Sequence, residues 1–428
     1  MLGWVCTTPI HAGQTDYGVG LSLTHNSNIA RVETNPQSEW TQALMAGLLY
    51  QENTIDVTAH VLAQIERRHF YRHANGDDWG GFLDGAAVWT ILPRQLTWIV
   101  EDTFREVFLD VTAPDTPTNR AKSNALNTGP HFTFPLSSTN SAVIGGRYGR
   151  YDIENSNSDN RRYMAYVRGL HALAAQSTLS LNYETTRVYS APEAQFPKVL
   201  REDSFAHYET HSGLNGTTVD LGATRVARYT DTDLTGRLAR LTLSKALSTQ
   251  SALRLALSDQ ISDTYSDQIA GSAVSTAPRE GGVATPTATA SGDLYHSKRG
   301  DLGYVNIGGR FEYTLLGYAR RVDFETLDQD YHEGGARFTW TWVYSGAMRF
   351  NATMDYGRRT YDSFDREDRD RNVTAGVAYR LNRNVTMTME GGRVERQSTA
   401  PSSSFVDNRV MLLLGYSTGP LYQVQSRR

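Results

Sequence analysis

The feature that most constrains this chain is an alternation of apolar and polar side chains that recurs from one end to the other. In residues 54–66 nearly every second side chain is apolar, and residues 347–359 and 372–381 repeat the pattern. Successive side chains of a β-strand point to opposite faces, so a period of two predicts strands with one apolar and one polar face. We therefore expect an all-β chain.

About twenty segments of this kind are present, although weak signals leave a count of 18 open. The predicted strands lie near residues 17–24, 39–50, 54–69, 81–92, 95–107, 128–136, 141–151, 163–174, 178–189, 204–212, 217–229, 236–245, 252–262, 293–307, 310–325, 333–344, 347–361, 372–381, 385–395 and 407–416.

The connections between these strands alternate between short and long. Residues 93–94, 308–309 and 345–346 are tight turns, whereas residues 25–38 and 263–292 are long and polar. Short periplasmic turns and long external loops are typical of transmembrane barrels. The pattern predicts a single up-and-down barrel of about 18–20 strands, with both termini on the periplasmic side and the long loops outside the cell.

Composition is compatible with a barrel that crosses a membrane. Mean hydropathy is −0.47 and hydrophobic residues make up 39% of the chain, yet the longest apolar run, residues 43–50, is far too short for a spanning helix. Strands of about 9–11 alternating residues can cross instead. Net charge is −4 without any basic cluster, so we expect no nucleic acid as a partner. A barrel of this kind would have the outer-membrane lipid of a Gram-negative bacterium as its partner.

The first twelve residues differ from the rest. They are apolar, contain the single cysteine, Cys6, and end in Ile10-His11-Ala12, which loosely resembles a signal-peptidase site. We interpret residues 1–12 as the remainder of a signal peptide and residues 13–428 as the barrel. A ragged N-terminus from a misplaced start codon is the alternative.

Charged residues recur on the polar faces of the predicted strands. An arginine or lysine on the lipid face near mid-bilayer costs about 2–4 kcal/mol, so we expect these side chains to line the lumen. Such a lining would favour a hydrated solute, including an anionic one, or its charges would only pair across strands and hold the barrel in shape. The lumen-facing candidates are Arg147, Arg168, Arg254, Arg337, Arg349, Asp355, Arg380 and Glu390.

The sequence contains no motif for catalysis or for a cofactor. The eleven histidines are scattered, and no nucleophile elbow, zinc-protease motif or phosphate-binding loop occurs. Residues 81–85 and the acidic residues 362–370 lack the ligand spacing of a calcium loop, and we interpret them as solvated loops. We predict no catalytic residue, metal or cofactor, and a barrel hydrolase or acyltransferase is the less favoured alternative.

Three stretches are more specific than the general pattern: GVGLSLTHNSNIAR at residues 18–31, WTILPRQLTWIVEDTF at residues 89–104, and NTGPHFTF at residues 127–134. Together they resemble the family of β-barrel porins found in exopolysaccharide gene clusters, which includes outer-membrane proteins of capsule and exosortase loci. The resemblance covers about the first third of the chain. The chain differs from many outer-membrane barrels at its C-terminus, because its last residue is Arg428 and not an aromatic residue.

The resemblance implies a conduit for an exported polysaccharide chain. Its partners would be a periplasmic polysaccharide export protein and an inner-membrane copolymerase and polymerase. A general or solute-specific diffusion porin is the main alternative, and a structural or adhesive barrel is a further one. We expect a polymer conduit to be wide, without a folded constriction loop or plug, whereas a diffusion porin would conduct small solutes alone.

Overall fold

The computed structural model describes residues 13–154, 158–190, 198–213, 215–229, 232–272, 293–419 and 421. The predicted remainder of a signal peptide, residues 1–12, lies outside the described residues. The described part contains twenty strands, a short 3-10 helix (Pro117–Asn119) and the α-helix α1 (Thr264–Ser272). The strands are β1 (Gln14–Asn26), β2 (Glu39–Asn53), β3 (Val57–Phe70), β4 (Asp78–Leu92), β5 (Leu96–Phe108), β6 (Arg120–Pro135), β7 (Asn140–Ile153), β8 (Asn160–Ala174), β9 (Ser177–Ser190), β10 (Val199–Ser212), β11 (Asn215–Arg228), β12 (Leu234–Ala246), β13 (Ser251–Asp263), β14 (Leu294–Asn306), β15 (Phe311–Phe324), β16 (Tyr331–Val343), β17 (Met348–Tyr361), β18 (Arg366–Arg380), β19 (Val385–Ser398) and β20 (Phe405–Ser417).

The twenty strands form one closed antiparallel sheet. Each strand pairs with its neighbours in sequence, and β1 also pairs with β20, from Gly18 opposite Ser417 to Asn26 opposite Arg409. Closure gives every strand two partners, so no sheet edge is left to expose unpaired backbone groups to lipid. The prediction of an up-and-down barrel of about 18–20 strands is confirmed.

The two ends of the barrel differ in their connections. At one end every connection has two to four residues, for example residues 93–95, 175–176 and 344–347. At the other end most connections are longer, including residues 27–38, 109–119 and 264–293. Both chain ends of the sheet, Gln14 and Ser417, lie at the short-turn end, as the even strand number requires. We call the short-turn end periplasmic and the other end outer.

The outer surface carries a continuous apolar belt. Leu44, Leu181 and Leu412 are 60%, 68% and 47% exposed, although each lies in the middle of a strand. Leaving so many large apolar side chains in water would cost about 25 cal/mol for each Å². The belt is therefore the lipid-contacting surface, and the chain is a barrel of the Gram-negative outer membrane. No helix in the described part of the chain is long and apolar enough to cross a bilayer.

Aromatic rings cluster on this belt near its periplasmic edge. The rings of Trp342 and Phe350 stack with centroids 5.3 Å apart, and Trp342 also stacks on Phe311 at 6.0 Å. These residues lie within a few positions of the short turns that begin or end β15, β16 and β17. Amphipathic rings favour the membrane–water interface, so this cluster forms part of an aromatic girdle.

Several strands begin nearer the outer end of the barrel than the sequence predicts. β6 begins at Arg120 rather than near residue 128, and β18 begins at Arg366 rather than near residue 372. The acidic segment 362–370, interpreted from sequence as a solvated loop, is therefore mostly strand. Its carboxylates form ion pairs: Asp368 with Arg366 at 2.7 Å and Asp370 with Arg396 at 2.7 Å. Above the bilayer a strand needs no apolar face, so alternation is lost while pairing continues.

Candidate functional site

The wall of the lumen is the face opposite the apolar belt. On β17, Met354 is 53% exposed on the outside, whereas its neighbour Asp355 turns inward and lies opposite Arg337 of β16. The guanidinium of Arg337 donates to the carboxylate of Asp355. Alternation therefore gives a polar inner wall, and cross-strand register decides which charges meet.

The register places all eight candidate lumen residues on this inner face. Arg168 donates to Glu184 at 2.8 Å, and Glu390 accepts from Arg409 at 3.1 Å. Arg147 has no carboxylate partner in the described ranges and donates instead to the backbone carbonyls of Gly129, Pro130 and Gly146, each at 3.1 Å. Arg349 lies on the same inner face of β17 as Asp355.

Three of the eight candidates lie near the periplasmic opening. Arg254 is the fourth residue of β13, Arg349 is the second residue of β17, and Arg380 is the last residue of β18. Among the described residues, Arg147, Arg254 and Arg380 form no ion pair with a carboxylate. Most other charged side chains on the inner wall do form an ion pair.

The outer end of the lumen contains a helix that the sequence did not predict. α1 follows directly on β13, yet its side chains reach strands on both sides of the barrel. The side-chain amide of Gln268 donates to the backbone carbonyl of Thr103 on β5 at 2.8 Å, and Gln268 accepts from Ser123 of β6 at 2.9 Å. On the other side, Tyr295 of β14 donates to Asp267 at 2.7 Å. Since β5 and β14 are nine strands apart, α1 lies across the lumen.

Tyr265 anchors one side of α1 in a small apolar cluster. Its ring lies 6.0 Å from that of Tyr151, beside Val107 and Ile153 of the inner wall, and these side chains are nearly fully buried. Burial raises the pKa of Tyr265 well above its ordinary value, so the hydroxyl stays protonated and donates to the carbonyl of Leu126. The guanidinium of Arg162 covers the ring at 4.3 Å.

Ion pairs hold the start and the middle of the same helix. Asp263, where β13 ends, accepts from Arg162 of β8 at 2.9 Å, and both side chains are at least nine-tenths buried. Arg320 of β15 lies 3.8 Å from Asp267. Removing one partner of such a buried pair leaves an uncompensated charge, which costs more than the pair itself contributes. These pairs therefore hold α1 in its position across the barrel.

A second segment, residues 109–119, also crosses the outer end. The carbonyl of Val111 accepts from the guanidinium of Arg359 at 3.0 Å and from the hydroxyl of Tyr361 at 3.3 Å. Both donors belong to β17, eight strands from β5 around the barrel. Asp115 pairs with Arg120 at 2.8 Å and with Arg31 of the β1–β2 loop at 3.7 Å. Two inward-folded segments therefore narrow the outer opening.

Asp115 is ionised over the whole neutral range. Burial alone would raise the pKa of Asp115, but the guanidinium groups of Arg120 and Arg31 outweigh it and leave the pKa below its ordinary value of 3.8. The contribution of Asp115 to the position of this loop is thus present above pH 3.8 and is lost only as the pH falls through the lowered pKa.

The predicted external position of residues 263–292 is wrong for α1. Residues 264–272 fold inward, and residues 273–292 lie outside the described residues. A sequence signal for the helix exists: Tyr265, Gln268 and Ile269 have the spacing of one helical face. That signal is short and its apolar content is low, and the contacts that fix the helix lie more than a hundred residues away in sequence. Among the described residues there is no group of three possible metal ligands.

Replacing Asp267 with alanine should loosen α1 from the β14–β15 wall. The variant loses the hydrogen bonds that Tyr295 and Ser262 donate to Asp267, and it loses the attraction between Asp267 and the guanidinium of Arg320. Hydrogen bonds to a charged group contribute about 1.5–3 kcal/mol each, so we expect at least a tenfold rise in the time spent in higher-conductance states. Single-channel recording in a planar bilayer measures this time directly.

The matched control is Asp301→Ala, which removes another lumen carboxylate. Asp301 pairs with Arg299 on β14 at 2.6 Å, and it forms no hydrogen bond or ion pair with a described residue of α1. We expect the control to alter open-channel current slightly and to leave the frequency of transitions unchanged. Equal transition frequencies in both variants would show that Asp267 does not hold the helix.

One family model matches the chain, described as "Putative beta-barrel porin 2", over residues 345–416. The match covers β17 to β20, whereas the motifs at residues 18–31, 89–104 and 127–134 lie outside it. It supports a porin-type barrel and does not concern exopolysaccharide. No curated protein matches the sequence significantly.

Solved outer-membrane barrels share the general shape at low identity. The ferric enterobactin receptor PfeA of Pseudomonas aeruginosa in complex with BCV-L6 is 11% identical with a TM-score of 0.45, covering 94% of this chain and 81% of that one. The FrpB iron transporter of Neisseria meningitidis is 10% identical, with a TM-score of 0.45 and coverages of 94% and 81%. Pseudomonas aeruginosa OccK2 in complex with glucuronate is 9% identical, with a TM-score of 0.41 and coverages of 96% and 99%.

In this chain twenty strands close on themselves, an apolar belt meets lipid, and a charged inner wall surrounds the lumen. Together with the C-terminal family match, these features describe an outer-membrane, porin-like pore.

Proposed function

We propose that the barrel is a passive conduit for an acidic exopolysaccharide or capsule chain. The observation that carries the proposal is the set of three lumen arginines, Arg147, Arg254 and Arg380, that form no ion pair with a described carboxylate. A guanidinium group binds the carboxylate or sulfate of a sugar through two parallel hydrogen bonds. Most other lumen charges are already paired, so these three are the groups available to an anionic solute.

The positions of these arginines suit a chain that enters from the periplasm. Arg254 and Arg380 lie near the periplasmic opening, and Arg147 lies about halfway along β7. A polymer that moves outward would meet them in that order. Each contact is single and hydrated, and conduction requires binding that is weak enough to release.

The partners of this proposal are a periplasmic polysaccharide export protein and an inner-membrane copolymerase and polymerase. Their support is the resemblance of the N-terminal motifs to porins of exopolysaccharide clusters. A passive pore has no energy source of its own, so polymer growth at the inner membrane would supply the driving force. The absence of enzymatic activity stays a prediction.

A solute-selective diffusion porin is the second candidate, and the position of α1 favours it. A wide polymer conduit is not expected to contain a folded constriction, whereas α1 and residues 109–119 both cross the outer end. In the conduit proposal these segments must move aside while a chain passes. In the porin proposal they remain in place and set the size limit.

Changing the three arginines to glutamine separates these two candidates. In planar bilayers, polygalacturonate should block the unmodified pore at lower concentrations than neutral dextran of equal length. For the Arg147→Gln/Arg254→Gln/Arg380→Gln variant we expect the blocking constant for polygalacturonate to rise at least tenfold, which corresponds to about 1.4 kcal/mol. The block by dextran should not change.

The control for this experiment is Arg371→Gln, a change on the outer face of β18. Arg371 lies opposite Tyr356, which is 45% exposed on the outside. Block by polygalacturonate should be unaffected in the control. If neither polymer blocks the unmodified pore while galacturonic acid permeates it in liposome-swelling assays, the conduit is excluded and the diffusion porin is supported.

A further inference from the structure

A group of basic side chains lies on the outer surface where β7 to β10 emerge from the apolar belt. We call Arg150, Arg161, Arg187 and Lys198 the exterior basic patch. All four side chains are exposed. Register places Arg150 directly opposite Arg161, and Arg187 opposite Tyr163, on the face that Tyr163 exposes to the outside by 54%.

The patch lies at the outer boundary of the lipid-contacting belt. On the same strands and the same face, but nearer the periplasm, Ile144, Val167 and Leu181 are 51%, 46% and 68% exposed. Arg161 is the second residue of β8, and Lys198 immediately precedes β10. The three arginines each lie six residues further toward the outer end than these apolar side chains, which places the basic groups at the level of the lipid headgroups.

Most of the charge of the patch is not neutralised within the described part of the chain. Arg150 pairs with Asp152 at 2.7 Å, but Arg161, Arg187 and Lys198 form no ion pair with a described carboxylate. Like charges directly opposite each other on neighbouring strands are destabilising, as Arg150 and Arg161 are here. Asp152 neutralises only Arg150, so an anion beside Arg161 would relieve the remaining repulsion.

Other outer-face arginines at the same end of the barrel differ from this patch. Arg321 pairs with Asp323 at 2.9 Å, Arg358 with Glu367 at 2.6 Å, and Arg393 with Glu395 at 3.3 Å. Strands β15 to β19 thus neutralise most of their outer-face arginines with carboxylates on the same face. Within the described residues Arg237 on β12 and Arg371 on β18 are outer-face arginines without an ion pair, but each stands singly, whereas β8 to β10 bring three such cations together.

Three tyrosine rings lie beside the unpaired cations. The ring of Tyr163 lies 5.5 Å from that of Tyr148 and 5.9 Å from that of Tyr189. Arg187 donates to the hydroxyl of Tyr189 at 3.4 Å, and the ammonium of Lys198 lies 5.7 Å from the Tyr189 ring. Three cations and three amphipathic rings together offer donors for an anionic headgroup and flat surfaces for sugar or acyl groups.

We propose that the exterior basic patch binds the phosphate of a phosphorylated glycolipid in the outer leaflet. The lipid's acyl chains would lie on the belt around Val167 and Leu181, and its phosphate would lie between Arg161, Arg187 and Lys198. Basic clusters at the membrane surface attract anionic lipid through such contacts. The site is separate from the lumen, and its function does not depend on what the pore conducts.

The test compares two double variants of the full chain, purified in detergent. Arg161→Gln/Arg187→Gln removes the centre of the patch, and Arg358→Gln/Arg393→Gln removes two outer-face arginines that already have carboxylate partners. Binding of lipopolysaccharide, of enzymatically dephosphorylated lipopolysaccharide and of inorganic phosphate is measured by native mass spectrometry. Heat-modifiable migration on gels establishes that each variant is folded.

We expect the patch variant to bind lipopolysaccharide at least tenfold more weakly than the unmodified chain, and the control variant to bind it normally. Dephosphorylated lipopolysaccharide should bind the unmodified chain as weakly as intact lipopolysaccharide binds the patch variant. Equal binding by all three proteins would overturn the proposal. So would binding of inorganic phosphate alone as tight as that of the lipid, since the patch would then be an anion site without lipid specificity.

Discussion

Removing the segment that crosses the lumen should raise the single-channel conductance several-fold. α1 touches β5 and β6 on one side and β14 on the other, so it occupies the cross-section through which ions must pass. Asp263 of β13 pairs directly with Leu294 of β14, which allows residues 264–292 to be replaced by a short asparagine–glycine turn. Conductance in a planar bilayer at fixed salt measures the result.

The matched control shortens an outer loop that does not cross the barrel. The connection between β19 and β20 makes local hydrogen bonds, such as that from the backbone of Ser398 to the hydroxyl of Ser404. Shortening residues 400–403 should leave the conductance unchanged. If the variant without α1 conducts no better than this control, the narrowest part of the pore lies elsewhere, and residues 109–119 become the next candidate.

The two proposed functions differ in how they depend on this helix. For a polymer conduit, the variant without α1 should still be blocked by polygalacturonate, because the arginines that bind it lie nearer the periplasm. For a diffusion porin, the variant should lose its size limit and admit solutes that the unmodified chain excludes. The variant without α1 thus shows whether the helix is a segment that moves aside for a polymer or a fixed constriction that sets the size limit.

The strands could be predicted from sequence because lipid and water impose the alternation locally. Residues 347–359 show apolar side chains at every second position, and β17 spans this stretch in the structure. The outer extensions could not be predicted in the same way. At the start of β18 both faces carry charge, because Arg366 and Asp368 face inward and Glu367 faces outward. This stretch therefore has no alternation of apolar and polar side chains from which a strand could be predicted.

The lumen required information that a single strand does not contain. Alternation assigns Arg168 and Glu390 to the polar face, but their partners, Glu184 and Arg409, follow from cross-strand register. A slip of one residue between two strands would turn every such side chain to the other face. The same reasoning explains α1, whose position depends on Thr103 and Ser123 far away in sequence.

A pair of neighbouring substitutions on β20 tests the assignment of inside and outside, and the expected difference is large. Leu412 is 47% exposed on the belt near the middle of its strand, whereas Leu413 points into the lumen opposite Ser22 of β1. An arginine on the lipid face near mid-bilayer costs about 2–4 kcal/mol. We therefore expect Leu412→Arg to reduce the free energy of unfolding by that amount, as measured by urea titration in lipid vesicles.

Leu413→Arg is the control, because it introduces the same charge one residue away on the opposite face. A guanidinium in a hydrated lumen keeps its water and has Glu390 of the neighbouring strand within the same region of the wall. The control should lose much less stability and should shift the ion selectivity toward anions, whereas Leu412→Arg should leave selectivity unchanged. Equal destabilisation by both variants would contradict the register of β20, and with it the assignment of every lumen arginine that depends on the same alternation.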